Sequence, residues 1–118
     1  MNTLGNSLLK IYASTTDKIG FDLVYEHIIH VAKQNKIAGV TVYRGIMGFG
    51  KSSMHIEQSR FWELTEKLPV VIEIIDNTEA IESFYELIKK DLEKVPKGCL
   101  VTLQAIDIKL QKMGISMQ

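Results

Sequence analysis

Gly39-Val-Thr-Val-Tyr-Arg-Gly-Ile-Met-Gly-Phe-Gly-Lys-Ser52 carries the phosphate-cradling pattern G-x-x-x-x-G-K-[ST] at positions 45–52, directly after an apolar run that reads as a strand. How this stretch is read decides the fold. In a P-loop, glycines let the backbone approach phosphates, the lysine supplies a point charge, and the hydroxyl ligates magnesium. Such an enzyme needs several parallel strands with crossover helices, and the motif follows an early strand of that sheet. Here a complete strand and helix precede the motif, and only two strands and one helix follow it. That is too little chain, so the stretch is expected to be a strand opening into a long loop. A second hint, the apolar run Val70-Val-Ile-Glu-Ile-Ile-Asp76, ends in a carboxylate that could pass for a magnesium ligand. Asp76-Asn-Thr-Glu79 has the D-x-x-E form of a capping box, however, so Asp76, or its neighbour Asn77, is expected to cap a helix.

Working outward, residues 7–14 alternate, with Leu9, Ile11 and Ala13 on one face and Leu8, Lys10 and Tyr12 on the other. Phe21, Val24, Tyr25, Ile28, Val31 and Ala32 have helical spacing, and Gly39 breaks that pattern. Residues 39–44 form the second strand and 70–75 the third. Ile81, Phe84, Tyr85, Ile88, Leu92 and Val95 mark one face of a second helix, ended by Pro96 and Gly98. Residues 99–110 read as the last strand, with Cys99, Val101, Leu103 and Ala105 inward. Its later apolar set, Ile106, Ile108 and Leu110, is one residue out of phase, which predicts a bulge or break near 104–106.

The order strand, helix, strand, long loop, strand, helix, strand is the βαββαβ plan of an α+β, ferredoxin-like fold with a four-stranded antiparallel sheet. Two helices cover one face of such a sheet. The other would carry Leu8, Tyr12, Tyr43, Val71, Ile75 and Leu100 among Lys10, Thr41, Glu73 and Gln104, too apolar to stay in water. Burial against identical subunits is expected.

With 118 residues, 46% apolar and 24% charged, the chain is expected to be a single domain spanning 1–118, neither disordered nor membrane-inserted. The N-terminus lacks the features of a secretory signal, and the lone cysteine suits a reducing cytoplasm. Fourteen basic residues balance fourteen acidic ones, so the net positive charge that nucleic-acid binding usually requires is absent.

The block at 39–50, with His55, Leu68-Pro-Val-Val-Ile-Glu73 and residues 98–106, resembles the bacterial and archaeal "domain of unknown function" one-ninety family, grouped with the PII-like signalling proteins. The resemblance covers nearly the whole chain. It implies a ferredoxin-like subunit, a homotrimer, no enzymatic activity and no cofactor. Small effectors, with an adenine nucleotide the expected one, bind PII-type proteins in clefts between subunits, and a long T-loop between strands two and three engages a partner. Here the T-loop-like insertion would be 45–67. Its base would be Arg44, Gly45, Gly48, Gly50 and Lys51, and the facing turn Lys97 and Gly98, shorter than the glycine- and basic-rich turn of PII proteins. Family members are often encoded beside fluoride-exporting channels, so a membrane transporter or channel is the partner the resemblance implies.

Gly45, Gly48 and Gly50 suit either a tight turn or an amide nest for an anion, and Arg44 and Lys51 flank them with positive charge. His55 is a candidate ligand contact. His27 and His30 lie three apart on the first helix with no partner spaced to share a metal, so they are expected at the surface. Cys99 is expected to be a buried, inert thiol. Ser52 and Ser53 lack an evident general base. Met47 and Phe49 are expected in a mobile stretch, whereas Phe61 and Trp62 suit packing of a short helix within 53–64.

Overall fold

The two-residue alternation of the first strand decides where the core sits, because it commits one face to apolar side chains along its whole length. The computed structural model describes residues 5–49 and 68–115. Its main sheet has four strands: β1 (Asn6–Ser14), β4 (Gly39–Arg44), β5 (Pro69–Asn77) and β6 (Leu100–Ile106). They stand in the order β4-β5-β1-β6, and each neighbouring pair is antiparallel. With α1 (Val24–Gln34) and α2 (Thr78–Lys94), this is the ferredoxin-like βαββαβ arrangement. No two described strands of it are parallel neighbours, so the sheet a P-loop enzyme requires is absent among the described residues.

Both helices pack on one face. Leu9 and Ile11 of β1 and Ile72 and Ile74 of β5 meet Val24, Ile28 and Ala32 of α1 and Ile81, Phe84, Ile88 and Leu92 of α2 in one core. His27 Nε2 lies 2.9 Å from Asp91 Oδ2, linking α1 to α2. His27 is thereby paired, whereas His30 is exposed. Among the described residues no His, Cys, Asp and Glu group of three or more could hold a metal ion, and no helix is long and apolar enough to cross a membrane.

Four expectations need correction. Phe21 is not on the first helix: it is fully exposed at the tip of a small hairpin, β2 (Lys18–Ile19) with β3 (Asp22–Leu23). Gly20 opens that two-residue turn at φ 64°, a conformation L side chains avoid and the first position of a type II′ turn requires. The helix ends at Gln34, and Lys36, just past the Asn35 cap, adopts φ 56° before Gly39 is reached. The last strand does not run on to residue 110: of the bulge or break expected near 104–106 it is the break that occurs, since the strand stops at Ile106 and its register with β1 is unbroken from Leu100 opposite Tyr12 to Ile106 opposite Asn6. Cys99 precedes this edge strand and is exposed. Partial desolvation still pushes its thiol pKa up, and the nearby Asp17 carboxylate adds to the rise.

The helix cap belongs to Asn77, whose Oδ1 accepts from the Ala80 amide at 2.8 Å. Asp76 instead ties strands together, its Oδ2 accepting from the Ala38 amide at 2.9 Å just before β4. With its other oxygen on the Asn77 amide at 2.7 Å, this carboxylate already has backbone partners.

Candidate functional site

At the end of the sheet where β4 finishes and β5 begins, the chain leaves for the long insertion and returns. The departure is pinned: the Gly45 amide donates to the Pro69 carbonyl at 2.7 Å. The return is pinned too, with Thr15 N–H donating to the Leu68 carbonyl at 2.9 Å and Leu68 N–H to Thr15 Oγ1 at 3.2 Å. A collar of hydrogen bonds to β1 and β5 thus closes the base of the insertion.

Gly45 is needed there for closeness. A Cβ at this position would stand 2.8 Å from Pro69 Cγ, inside van der Waals contact, while its φ is not positive. Because its N–H already serves Pro69, Gly45 does not offer that donor to an anion. A Cβ on Gly48 would stand 3.4 Å from Cγ of the same proline, ordinary van der Waals contact. Beyond the collar, Ile46, Met47 and Phe49 are all more than 80% exposed, an apolar cluster standing off the subunit.

Arg44, exposed at the end of β4, edges a groove of about 350 Å³. Thr15, Tyr25, Ile29, Val42, Tyr43 and Val70 complete its wall. The groove is mostly apolar and aromatic with one guanidinium at its rim, a composition that accepts a flat apolar group bearing an anion.

Lys97 and Gly98, both exposed, lie at the same end of the sheet but on its other edge. The rows Arg44–Val70 and Val70–Ala13 lead across to the start of β6, three strand spacings from β4, or about 14 Å. One subunit therefore does not bring the two halves of the expected site together. Gly50, Lys51 and His55 lie outside the described residues, as do Ser52, Ser53, Phe61, Trp62 and the short helix expected within 53–64.

The Asp17 carboxylate, missed by the sequence reading, is buried in the turn after β1 at this same end. Its Oδ2 accepts from the Ser14 amide at 2.9 Å, and its backbone carbonyl accepts from Val24 N–H at 2.8 Å, at the start of α1. The signal was available in Ser14-Thr-Thr-Asp17, a sequence suited to local side-chain turns.

The uncovered face of the sheet reads in rows across all four strands. One row is Gly39, Ile75, Leu8 and Gln104; the next Thr41, Glu73, Lys10 and Thr102; the last Tyr43, Val71, Tyr12 and Leu100. Tyr43 donates its hydroxyl to Glu73 Oε2 at 2.8 Å, and that hydrogen bond to a carboxylate raises the phenol's pKa. Lys10 Nζ lies 3.8 Å from the same oxygen. A small polar centre is thus framed by exposed apolar side chains.

Comparison with known proteins fits this framework. Residues 6–108 match the model of the DUF190 family, described as "Uncharacterized ACR". This chain belongs to that family. Its relatives include a UPF0166 protein of Aquifex aeolicus, 32% identical over 108 residues that span 92% of this chain and 97% of the other. A UPF0166 protein of Methanocaldococcus jannaschii is 38% identical over 88 residues, 71% of this chain and 80% of the other. Among solved structures, the DUF190 chain is similar to CPII, a nitrogen regulatory PII-like protein from Thiomonas intermedia K12 bound to ADP, AMP and bicarbonate. The TM-score is 0.57 at 15% identity, covering 86% of this chain and 88% of CPII. A functionally unknown protein from Pediococcus pentosaceus gives a TM-score of 0.55 at 12% identity, over 93% and 99% of the two chains. At these identities the likeness is one of fold, and the fold is PII-like.

Proposed function

We propose that this protein is a PII-like regulatory module without catalytic activity. It assembles as a homotrimer, binds a small anionic effector in the clefts between subunits, and reports occupancy through residues 45–67. The observation that carries the reading is the split site: a groove with Arg44 at the base of the insertion on one sheet edge, and Lys97 with Gly98 on the other. Association that sets the two edges side by side would create a cleft with cations on both walls. An adenine nucleotide fits this chemistry, its ring against Tyr25 and Val42 and its phosphates toward Arg44 and Lys51. That CPII, of the same fold, was solved with ADP and AMP supports the choice.

The signalling step is a population shift. Since the collar fixes both ends of the insertion, an effector at its base biases the residues between, and the exposed Met47 and Phe49 would meet a partner. A membrane transporter or channel is one candidate partner, and a pull-down from membranes with and without nucleotide tests it.

Titration calorimetry with ATP, ADP, AMP and cyclic AMP tests the effector class. Binding of at least one is expected, and no heat from any would move the effector to other chemistry. Arg44→Ala and Lys51→Ala should each weaken binding about tenfold or more, the loss of one charge-assisted contact, with the oligomer unchanged. Unaltered affinity in either variant would remove that residue from the site.

A further inference from the structure

The two walls of the split site belong to different helices. Tyr25 and Ile29 of α1 line the groove that Arg44 edges, whereas Lys97 and Gly98 follow the end of α2 at the other edge of the sheet. In a closed ring every subunit therefore serves two clefts, giving its Arg44 wall to one and its Lys97 wall to the next. Whatever joins α1 to α2 stands between those clefts.

Helix geometry singles out the joint. Tyr25 and Ile29 are four residues apart and share one flank of α1, while His27, two residues from each, lies about 200° further round, on the flank toward α2. Its Nε2 is 2.9 Å from Asp91 Oδ2. An ionised carboxylate only accepts, so His27 is the donor. The two side chains are 22 and 33% exposed, shielded enough from water for the bond to hold better than one at the surface. Among the described residues no other hydrogen bond or ion pair joins the two helices. The rest of their contact is apolar, through Ile28 and Ala32 on one side and Phe84, Ile88 and Leu92 on the other. Apolar contacts let packed helices slide by small amounts, whereas a hydrogen bond is directional and fixes one position.

Asp91 is placed to pass a shift onward. It opens the last turn of α2, which ends at Lys94. Val95 N–H then bonds to the Leu92 carbonyl at 3.2 Å, tying the chain that leads to Lys97 to that same turn.

We propose that the His27–Asp91 hydrogen bond couples the two clefts that each subunit serves. An effector docked against Tyr25 and Ile29 shifts α1, the bond carries the shift to the last turn of α2, and the Lys97–Gly98 wall of the next cleft changes its fit. The coupling rests on the effector reading above and deepens it by linking its sites. Neither side chain touches the effector. Both are positioning residues, so their removal acts on the relation between sites rather than on a contact.

Calorimetric titration with ATP, ADP, AMP and cyclic AMP in turn tests this, with sedimentation confirming the trimer and circular dichroism the fold of each variant. In the parent, successive affinities corrected for statistical factors should differ by about fivefold or more. His27→Leu and Asp91→Leu remove the bond and should make the sites equal. His27→Gln, whose amide nitrogen reaches the place of Nε2 and still donates, should keep them unequal. A bond that is only structural would lower the thermal midpoint of the leucine variants and leave the inequality untouched, which overturns the coupling. Equal sites in the parent overturn it as well. Either result leaves the regulatory reading standing, whereas no binding of any of the four nucleotides, or a full chain that is monomeric, overturns both.

Discussion

Gly45 has the most constrained backbone position at the site, because its amide is bonded to Pro69 and its α-carbon faces the proline ring at a distance no methyl group fits. Gly45→Ala must push the collar apart. A loss of about 1–3 kcal/mol, seen as a thermal midpoint several degrees lower, is the expected cost of that overpacking. A midpoint equal to the parent's would show that the collar yields freely. The sequence pattern pointed to this glycine for a different reason, phosphate approach, and only the position of Pro69 reveals the close contact. Asp17 makes the same point in reverse: its Oδ1 is buried with no hydrogen-bond partner among the described residues, a condition set by its surroundings rather than by its type.

At the scale of elements, α2 starts where it does because Asn77 caps it and Asp76 does not. Asn77→Ala should cost about 1 kcal/mol in chemical denaturation, the usual value of a lost N-cap. Asp76→Ala should instead release the Ala38 amide and loosen the start of β4, read as faster hydrogen exchange there. Two carboxyl or amide side chains side by side satisfy the same local signature, so the sequence narrowed the cap to a pair and tertiary pairing chose between them. The hairpin before α1 was legible in part: Gly20 between Lys18-Ile19 and Asp22-Leu23 is a hairpin signal, but Phe21 also completes a helical spacing with Val24, Tyr25 and Ile28. A single apolar residue at an element's start fits both periods.

For the whole molecule, the association proposed above would draw on the open face. Tyr12, Tyr43, Val71 and Leu100 form one continuous row, and Leu100 is 57% exposed. Leu100→Asp should put an unpaired charge into a buried contact and shift the sedimentation profile toward monomer, while a solvent-facing row would leave the profile unaltered. By itself the sequence determined the order of the four main strands and two helices, the bounds of the second of those strands, most of the helix-covered core and the composition of the open face, because two- and 3.6-residue periods are local and survive in one dimension. Only the tertiary structure decided that β6 ends at Ile106 in unbroken register, that a collar closes the base of the insertion, and that Arg44 and Lys97 lie on opposite edges. Each of these depends on which strands become neighbours, and that follows from pairing between residues far apart in the chain, which no local period records.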